Sequence, residues 1–269
     1  MVETATQDEQ SSITVHAIYI NLDRHPERRI FIEEQIAKAG ITAERFRGVD
    51  GKNYPPRLAP YFPPDSTLTA PQIGCTASRL EVMRLIVERG MDAALVLEDD
   101  ARISTDLGPL LEAALRSLPP GWDIVRLCNA PKRAFRPLRQ LTPRYQLVRY
   151  SRIPLGTAGY LVSQSGARKL LKPRPFYWPG DVEIAHPWVL DLDVYGVVPP
   201  PVLQERDDLP STIGVERGHI PRWQRGIPDP RRVVFNVRKL GFSWWLRCLL
   251  ENAGRFVRPI PGTRTGPPL

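Results

Sequence analysis

The stretch Ala93-Ala94-Leu95-Val96-Leu97-Glu98-Asp99-Asp100 decides the reading of this chain. Five apolar residues in unbroken succession read as a buried strand. The run passes directly into three carboxylates, so the acidic triplet stands at the carboxyl end of that strand, where open α/β sheets bind their ligands. In extended chain Glu98 and Asp100 project to one side and Asp99 to the other. Like charges this close repel one another, and a cation or a basic partner has to offset them. Oxygen ligands suit Mg²⁺ or Mn²⁺, ions commonly shared with phosphate oxygens. The triplet fits equally an acidic turn whose Asp side chains cap the next helix.

On the N-terminal side, residues 13–20 (ITVHAIYI) form a second apolar, β-branched run. A helix over about 26–39 follows, opened by Pro26 and stopped by Gly40, with Ile32, Ile36 and Ala39 along one side. Residues 50–71 hold six prolines and little periodicity, and are expected to be a loop over the surface. The spacing of Leu80, Met83 and Val87 predicts a helix over about 76–89. On the C-terminal side the pattern predicts a helix at about 106–117, strands at 123–128 and 156–162, helices at about 165–171 and 183–191, and a strand at 194–198. Strands and helices alternating at these lengths indicate an α/β fold on a mostly parallel central sheet.

Composition narrows the class. The chain has 269 residues, 42% apolar and 25% charged, which excludes pure disorder, a collagen-like repeat and a disulfide scaffold. Its 29 prolines argue for rigid irregular loops rather than a helical bundle. Cys75, Cys128 and Cys248 are odd in number and widely spaced, without CxxC or zinc spacing, so a reducing compartment is the simplest expectation. Residues 1–215 balance 26 basic against 26 acidic side chains, and residues 216–269 carry 11 basic and 3 acidic. The formal net charge of +8 therefore belongs to a C-terminal appendage, and points to an anionic surface as partner. Residues 1–12 are polar and read as a flexible N-terminus without the apolar run of a signal peptide. No uncharged apolar stretch approaches the roughly 20 residues that cross a bilayer. The expectation is a cytoplasmic protein, peripheral on the inner face of the cytoplasmic membrane.

Several short elements recur in a fixed order. They begin with Ile20-Asn21-Leu22-Asp23 with Arg28-Arg29, Gly74-Cys75 with Ser78, and Leu97-Glu98-Asp99-Asp100. Gly159-Tyr160-Leu161-Val162-Ser163, Gly166-Ala167 with Leu170-Leu171, and Asp181 come next. Val194-Tyr195-Gly196, Pro199-Pro200-Pro201-Val202 and Ser211-Thr212-Ile213 close the series. Together, over about residues 15–214, they resemble the family 25 glycosyltransferases, which include bacterial lipopolysaccharide galactosyltransferases. The resemblance implies a GT-A-like nucleotide-sugar-binding fold over residues 13–214, with a divalent metal on the motif Glu98, Asp99 and Asp100. Asp100 and Glu98 are its first candidates as metal and diphosphate ligands. Where the family usually has Ser-His, this chain has Ser78-Arg79, a departure that bears on specificity; Arg79 can still offer a positive charge to phosphate.

The remaining candidates follow from position. Asn21, Asp23 and Arg28 come after the first strand, where Asp23 suits a ribose or base edge and Arg28 a phosphate; the alternative is that Asp23 caps the helix and the arginines are solvated. The resemblance adds Ser78 and Arg79 as nucleotide-sugar contacts. Gly159 and Tyr160, in the small-residue run from Gly156, either let the backbone approach a sugar or mark a tightly packed strand end. Asp181, with Glu183 second, is the candidate base that takes the acceptor's proton, and Tyr177 and Trp178 beside it suit stacking on a pyranose; Asp181 also fits a cap of the following helix, and Trp178 a place in the core. Residues 215–269 form a basic extension in which Val233, Val237, Leu240, Trp244 and Cys248 share a helical face broken by Gly241. That helix either lies on an anionic bilayer or docks on the domain. No nucleic-acid-binding motif accompanies the charge.

The resulting expectation is a transferase moving a hexose, first among them galactose from UDP-galactose, onto a lipopolysaccharide or other envelope glycan. The competing class is a non-catalytic sugar-nucleotide-binding module tethered to the membrane.

Overall fold

The computed structural model describes residues 15–205 and 230–257. The expected flexible N-terminus, the Ser211-Thr212-Ile213 element and the domain boundary near residue 214 lie outside the described residues.

In chain order the elements are β1 (Val15–Asn21), α1 (Pro26–Lys38), β2 (Glu44–Arg47), α2 (Ala70–Glu88), β3 (Ala93–Glu98), β4 (Ala101–Ile103) and α3 (Leu107–Ser117). There follow β5 (Ile124–Arg126), β6 (Phe135–Gln140), β7 (Gln146–Tyr150), β8 (Gly159–Ser163), α4 (Gln164–Leu170) and α5 (Gly180–Ile184). The last are β9 (Val194–Val198), β10 (Val202–Gln204), α6 (Pro230–Leu240) and α7 (Phe242–Val257). Eight strands make one sheet in the order β2-β1-β3-β8-β5-β9-β7-β6, and β4 pairs with β10 in a small second sheet. Pairings β1–β2, β1–β3 and β5–β9 are parallel. Pairings β3–β8, β8–β5, β9–β7 and β7–β6 are antiparallel. Six of the eight strands thus point one way, with β8 and β7 reversed. The fold is mixed α/β on a mostly parallel sheet.

Alternation along β3 explains the layers. Leu95 and Leu97 face one core with Ile32 and Ile36 of α1 and Leu107 and Leu110 of α3. Ala94 and Val96 face the other with Val82, Met83 and Ile86 of α2 and Ala167 and Leu170 of α4. Both faces of a central strand are covered, which is why it reads as a continuous apolar run rather than an alternating one. The period of two then puts Glu98 on the α2 side.

Several expectations are corrected. Helix α2 begins at Ala70 rather than Thr76: Thr69 N donates to Gln72 Oε1 at 2.9 Å, and Pro71 fits the first turn. The proline-rich stretch is not merely surface, since a 3-10 turn over Pro56–Tyr61 buries Leu58 and Tyr61 against Ala77, Leu80 and Phe176. The helix expected at 183–191 is α5 followed by a separate 3-10 turn, Pro187–Val189, because Pro187 lacks the N–H that would continue α5. The short strands β2, β4, β6, β7 and β10 escape the sequence pattern. β6 contains Pro137 and is tolerated because it is the sheet's edge.

The C-terminal helix is two helices, broken at Gly241 with φ +81°. Their inner side is docked on the body. Leu240 and Cys248 are buried, Arg136 Nη1 donates to Leu240 O at 2.6 Å, and Asn236 Nδ2 to Ser151 O at 3.1 Å. Ala134 N donates to Asn252 Oδ1 at 2.9 Å, and Lys239 Nζ pairs with Asp193 at 2.9 Å.

The Gly74–Ser78 element is where two chain segments cross. A Cβ on Gly74 would lie 2.8 Å from Val49 O and 2.9 Å from Gly51 N. Ser78 Oγ accepts from Val49 N at 2.8 Å and donates to Gly74 O at 2.7 Å. Gly74→Ala therefore forces backbone apart, and we expect it to destabilise by about 1–3 kcal/mol as overpacking does. Gly254→Ala, in exposed and uncrowded helix, is expected to stabilise by about 0.5–1 kcal/mol. Thermal unfolding followed by circular dichroism separates the two signs.

Candidate active site

The carboxyl ends of β1, β3 and β5 and the start of reversed β8 meet at one edge of the sheet. There the chain turns sharply after Glu98, so Asp99 and Asp100 leave the extended path. Arg28, from the first turns of α1, fills the turn: its Nε donates to Asp99 Oδ1 at 2.7 Å, and its Nη2 pairs with Asp99 Oδ1 at 2.6 Å and Asp100 Oδ2 at 3.0 Å. Asn21 Nδ2 donates to Asp99 Oδ2 at 2.9 Å and to His25 O at 3.0 Å, while its own oxygen accepts from Arg45 at 2.9 Å. Both oxygens of Asp99 are thereby engaged, which leaves it a partner of Arg28 rather than an open ligand. The strict alternation expected for the triplet gives way to this turn. Asn21 and Arg28, expected at the nucleotide, are buried and occupied in holding the acidic motif.

Glu98 behaves differently. It emerges on the α2 side and accepts from Thr157 Oγ1 at 2.5 Å, and Thr157 Oγ1 accepts in turn from Arg79 Nη1 at 2.7 Å. Burial, and next the charge of Asp100, push the Glu98 carboxyl up to about 7, with Arg79 opposing. Burial also raises Asp100, against the pull of Arg28 and of Gln204 Nε2, which donates to Asp100 Oδ2 at 3.1 Å. Asp100 Oδ1 is buried and has no hydrogen-bond partner among the described residues. Two neighbouring carboxylates, one with an orphaned oxygen and one held far above the ordinary range, have lone pairs to offer a cation. Among the described residues no group of three or more His, Cys, Asp or Glu side chains is arranged to hold a metal.

Asp181 completes the cluster from the start of α5. Its Oδ2 accepts from Gly156 N at 3.1 Å and its Oδ1 from Val182 N at 2.9 Å, and its charge acts on both Glu98 and Arg79. Tyr177 and Trp178, four and three residues before it, stand 42% and 38% exposed. Glu183, the second candidate, turns away to pair with Arg174 at 3.5 Å.

Other candidates fall elsewhere. Ser78 is spent on the crossing described above. Gly159 pairs with Leu97, and a Cβ there would lie 3.0 Å from Val202, so it marks the tightly packed strand end rather than an opening for sugar. Tyr160 is buried in the α2-side core. Asp23 stays exposed, paired with Arg45 at 2.7 Å and with Arg47, beside a cavity of ≈ 320 Å³ lined by Leu22, Asp23, Arg24, Arg47, Gly48 and Asp50. Two residues outside the sequence assignment matter. Thr157 links Arg79 to Glu98, and sat unread in the small-residue run from Gly156. Arg126, fully buried, donates through Nη2 to Pro154 O at 3.3 Å and to Gly156 O, and so holds the loop that carries Thr157 and the Asp181 contact. A cation inside the apolar strand Ile124-Val125-Arg126-Leu127 was the available signal.

The family model described as Glycosyltransferase family 25 (LPS biosynthesis protein) matches residues 15–179. The chain is similar to a Glycosyltransferase 25 family member of Aedes aegypti, 28% identical over 177 residues covering 60% of this chain and 28% of that protein. It is also similar to Procollagen galactosyltransferase 1 of Danio rerio, 27% identical with 58% and 28% covered. A third relative is the Probable inactive glycosyltransferase 25 family member 3 of Rattus norvegicus, 24% identical with 67% and 36% covered. The chain spans little more than a quarter of the length of the first two.

Arg79 is the buried cation on the α2 side of this cluster, and it reaches Glu98 through Thr157. Arg79→Met should remove that charge together with its hydrogen bond and destabilise by about 3 kcal/mol, the upper end for a charged hydrogen bond. Thr157→Val removes only a neutral bridge and should cost about 1–3 kcal/mol. Urea unfolding of the two variants tests that order.

Proposed function

The chain belongs to glycosyltransferase family 25, and from that premise we propose that it moves a hexose, galactose from UDP-galactose, onto a glycan of lipopolysaccharide or another envelope polymer. The observation that carries the reading is the convergence of Glu98, Asp100 and Asp181 around Arg79 and Thr157 at the carboxyl edge of the sheet. The family description names lipopolysaccharide biosynthesis, and the zebrafish relative is named a galactosyltransferase, which supports sugar and acceptor class.

In this reading Glu98 and Asp100 hold a divalent ion, Mn²⁺ or Mg²⁺, the donor set fitting through the free Oδ1 of Asp100 and the raised carboxyl of Glu98. Such an ion, when bound, supplies Lewis-acid stabilisation of the departing diphosphate. The cavity beside Asp23 takes the nucleoside end of the donor. Tyr177 and Trp178 offer ring faces to the acceptor sugar. Asp181, oriented by the N–H groups of Gly156 and Val182, receives the acceptor hydroxyl's proton as its oxygen attacks the anomeric carbon and the bond from that carbon to the UDP oxygen breaks. The displacement inverts the anomeric centre. Arg79 favours the ionised form of Glu98 against burial and, through Thr157, holds the carboxyl in place.

A second reading has an observation of its own. Arg79 stands where the family usually has histidine, and the rat relative is named probable inactive. A chain that binds sugar nucleotide without transferring it fits both.

Calorimetric titration with UDP tests the proposal. We expect binding that requires Mn²⁺ and is lost in Asp100→Ala. Asp181→Asn should keep UDP affinity and lower transfer from UDP-galactose by about 10²–10⁴-fold, the usual contribution of a general base. Metal-dependent UDP binding with no transfer to any glycan acceptor would favour the second reading. Absence of UDP binding with and without the ion would overturn the first.

A further inference from the structure

Helix α7 is apolar on its outer side as well as where it docks. Phe242, Leu246, Leu249 and Leu250 are 64%, 39%, 50% and 64% exposed, and at spacings of four, three and one residues they share one helical face. Arg247 and Glu251 pair with each other on another side, at 2.9 Å, and Cys248 and Asn252 take the docked side. The apolar ridge therefore has no cover among the described residues. No helix among those residues is long and apolar enough to cross a membrane.

Charge identifies what the ridge meets. Between Asp123 and Asp181 the sequence contains no carboxylate, and residues 124–180 hold 12 Lys and Arg. Residues 230–257 add six basic side chains against Glu251 alone. The two segments adjoin where α7 lies beside edge strand β6, with Arg136 bonded to Leu240 O and stacked 5.9 Å from the Trp244 ring. Arg149, Lys239 and Arg238 spend their charge on Asp193 and Asp191. Arg136, Arg139 and Arg152 have no carboxylate partner among the described residues. Burial, then the like charges of Arg152 and Arg133, hold the Arg232 guanidinium below its ordinary range, a sign of how concentrated the positive field is. An exposed apolar ridge bordered by uncompensated arginines is the pattern of a surface that lies in the headgroup boundary of an anionic bilayer.

We propose that the outer side of α7, with the basic edge of β6 beside it, docks on an anionic lipid bilayer, Phe242, Leu246, Leu249 and Leu250 entering the interface and Arg136 and Arg139 facing lipid phosphates. The docking is independent of sugar transfer. That it brings the active site to a lipid-linked acceptor is a consequence resting on the transferase reading.

The full-length chain is sedimented with vesicles of phosphatidylcholine alone and with about 30% phosphatidylglycerol, at low salt and at about 0.5 M salt. Binding to the anionic vesicles is expected, and it weakens at high salt. Leu249→Glu with Leu250→Glu should lower the partition coefficient at least about tenfold at both salts, because apolar contact is lost. Arg139→Glu should lower it about fivefold or more at low salt only. All three changed residues are exposed, so circular dichroism and UDP titration are expected to match the parent chain. That keeps a failure of docking distinct from a failure of the nucleotide site. The proposal is overturned if the parent chain ignores anionic vesicles, or if the double variant binds them as well as the parent. It is equally overturned if light scattering finds a dimer that the double variant abolishes while vesicles capture neither, since a second copy would then cover the ridge.

Discussion

Everything at the sheet's carboxyl edge depends on how this protein tolerates three carboxylates in a row at the end of a buried strand. Their mutual repulsion in a low-dielectric setting is offset from two sides. Arg28 reaches in from the α1 layer and binds Asp99 and Asp100, and Arg79 reaches in from the α2 layer toward Glu98. The two helical layers are thus electrostatically tied to the motif between them, and neither arginine is free to roam. Compensation is incomplete by design of the geometry: Glu98 still carries a strongly raised carboxyl and Asp100 an unsatisfied oxygen. A site that remains short of positive charge after its own arginines are counted is suited to a cation brought with an anionic ligand.

The main lines of the fold were legible because burial on both faces leaves a plain mark. β3 and β9 are uninterrupted apolar runs, β1 is one broken only by His16, and α1 and α3 have their starts and stops written in proline, glycine and spacing. What escaped was short, with too few residues in each strand to show a period. β6 reads as Phe-Arg-Pro-Leu-Arg-Gln, which carries no alternation because it is an edge with little to bury. The start of α2 was hidden by proline and glycine, residues that usually end helices but here serve its first turn and a backbone crossing.

Of the candidate site, positions on strand ends were readable and partnerships were not. Glu98, Asp100 and Asp181 were named from sequence and are brought together. Asn21, Arg28 and Ser78 lie close by, yet their side chains face inward to hold the scaffold. Sequence proximity to a motif cannot distinguish a residue that meets a ligand from one that positions the residue which does, since both need the same neighbourhood. Thr157 shows the converse: a small hydroxyl with no distinguishing context becomes a link between two charges only because β8 is reversed.

That reversal has a consequence for how the rim is held. In a sheet whose strands all run one way, the ligand edge is built from segments that leave strands. Here the segment entering β8, held from below by Arg126 and by Asn129 at Leu155 O, forms the middle of the rim. It is anchored at both ends by secondary structure and from beneath by a buried cation, so its outer residues can vary while Thr157 and Gly156 stay in register with the acids. Substitutions on the outer side of this segment therefore change the surface of the rim without moving the backbone that holds Gly156 and Thr157, a separation of exposed surface from fixed framework within a single short loop.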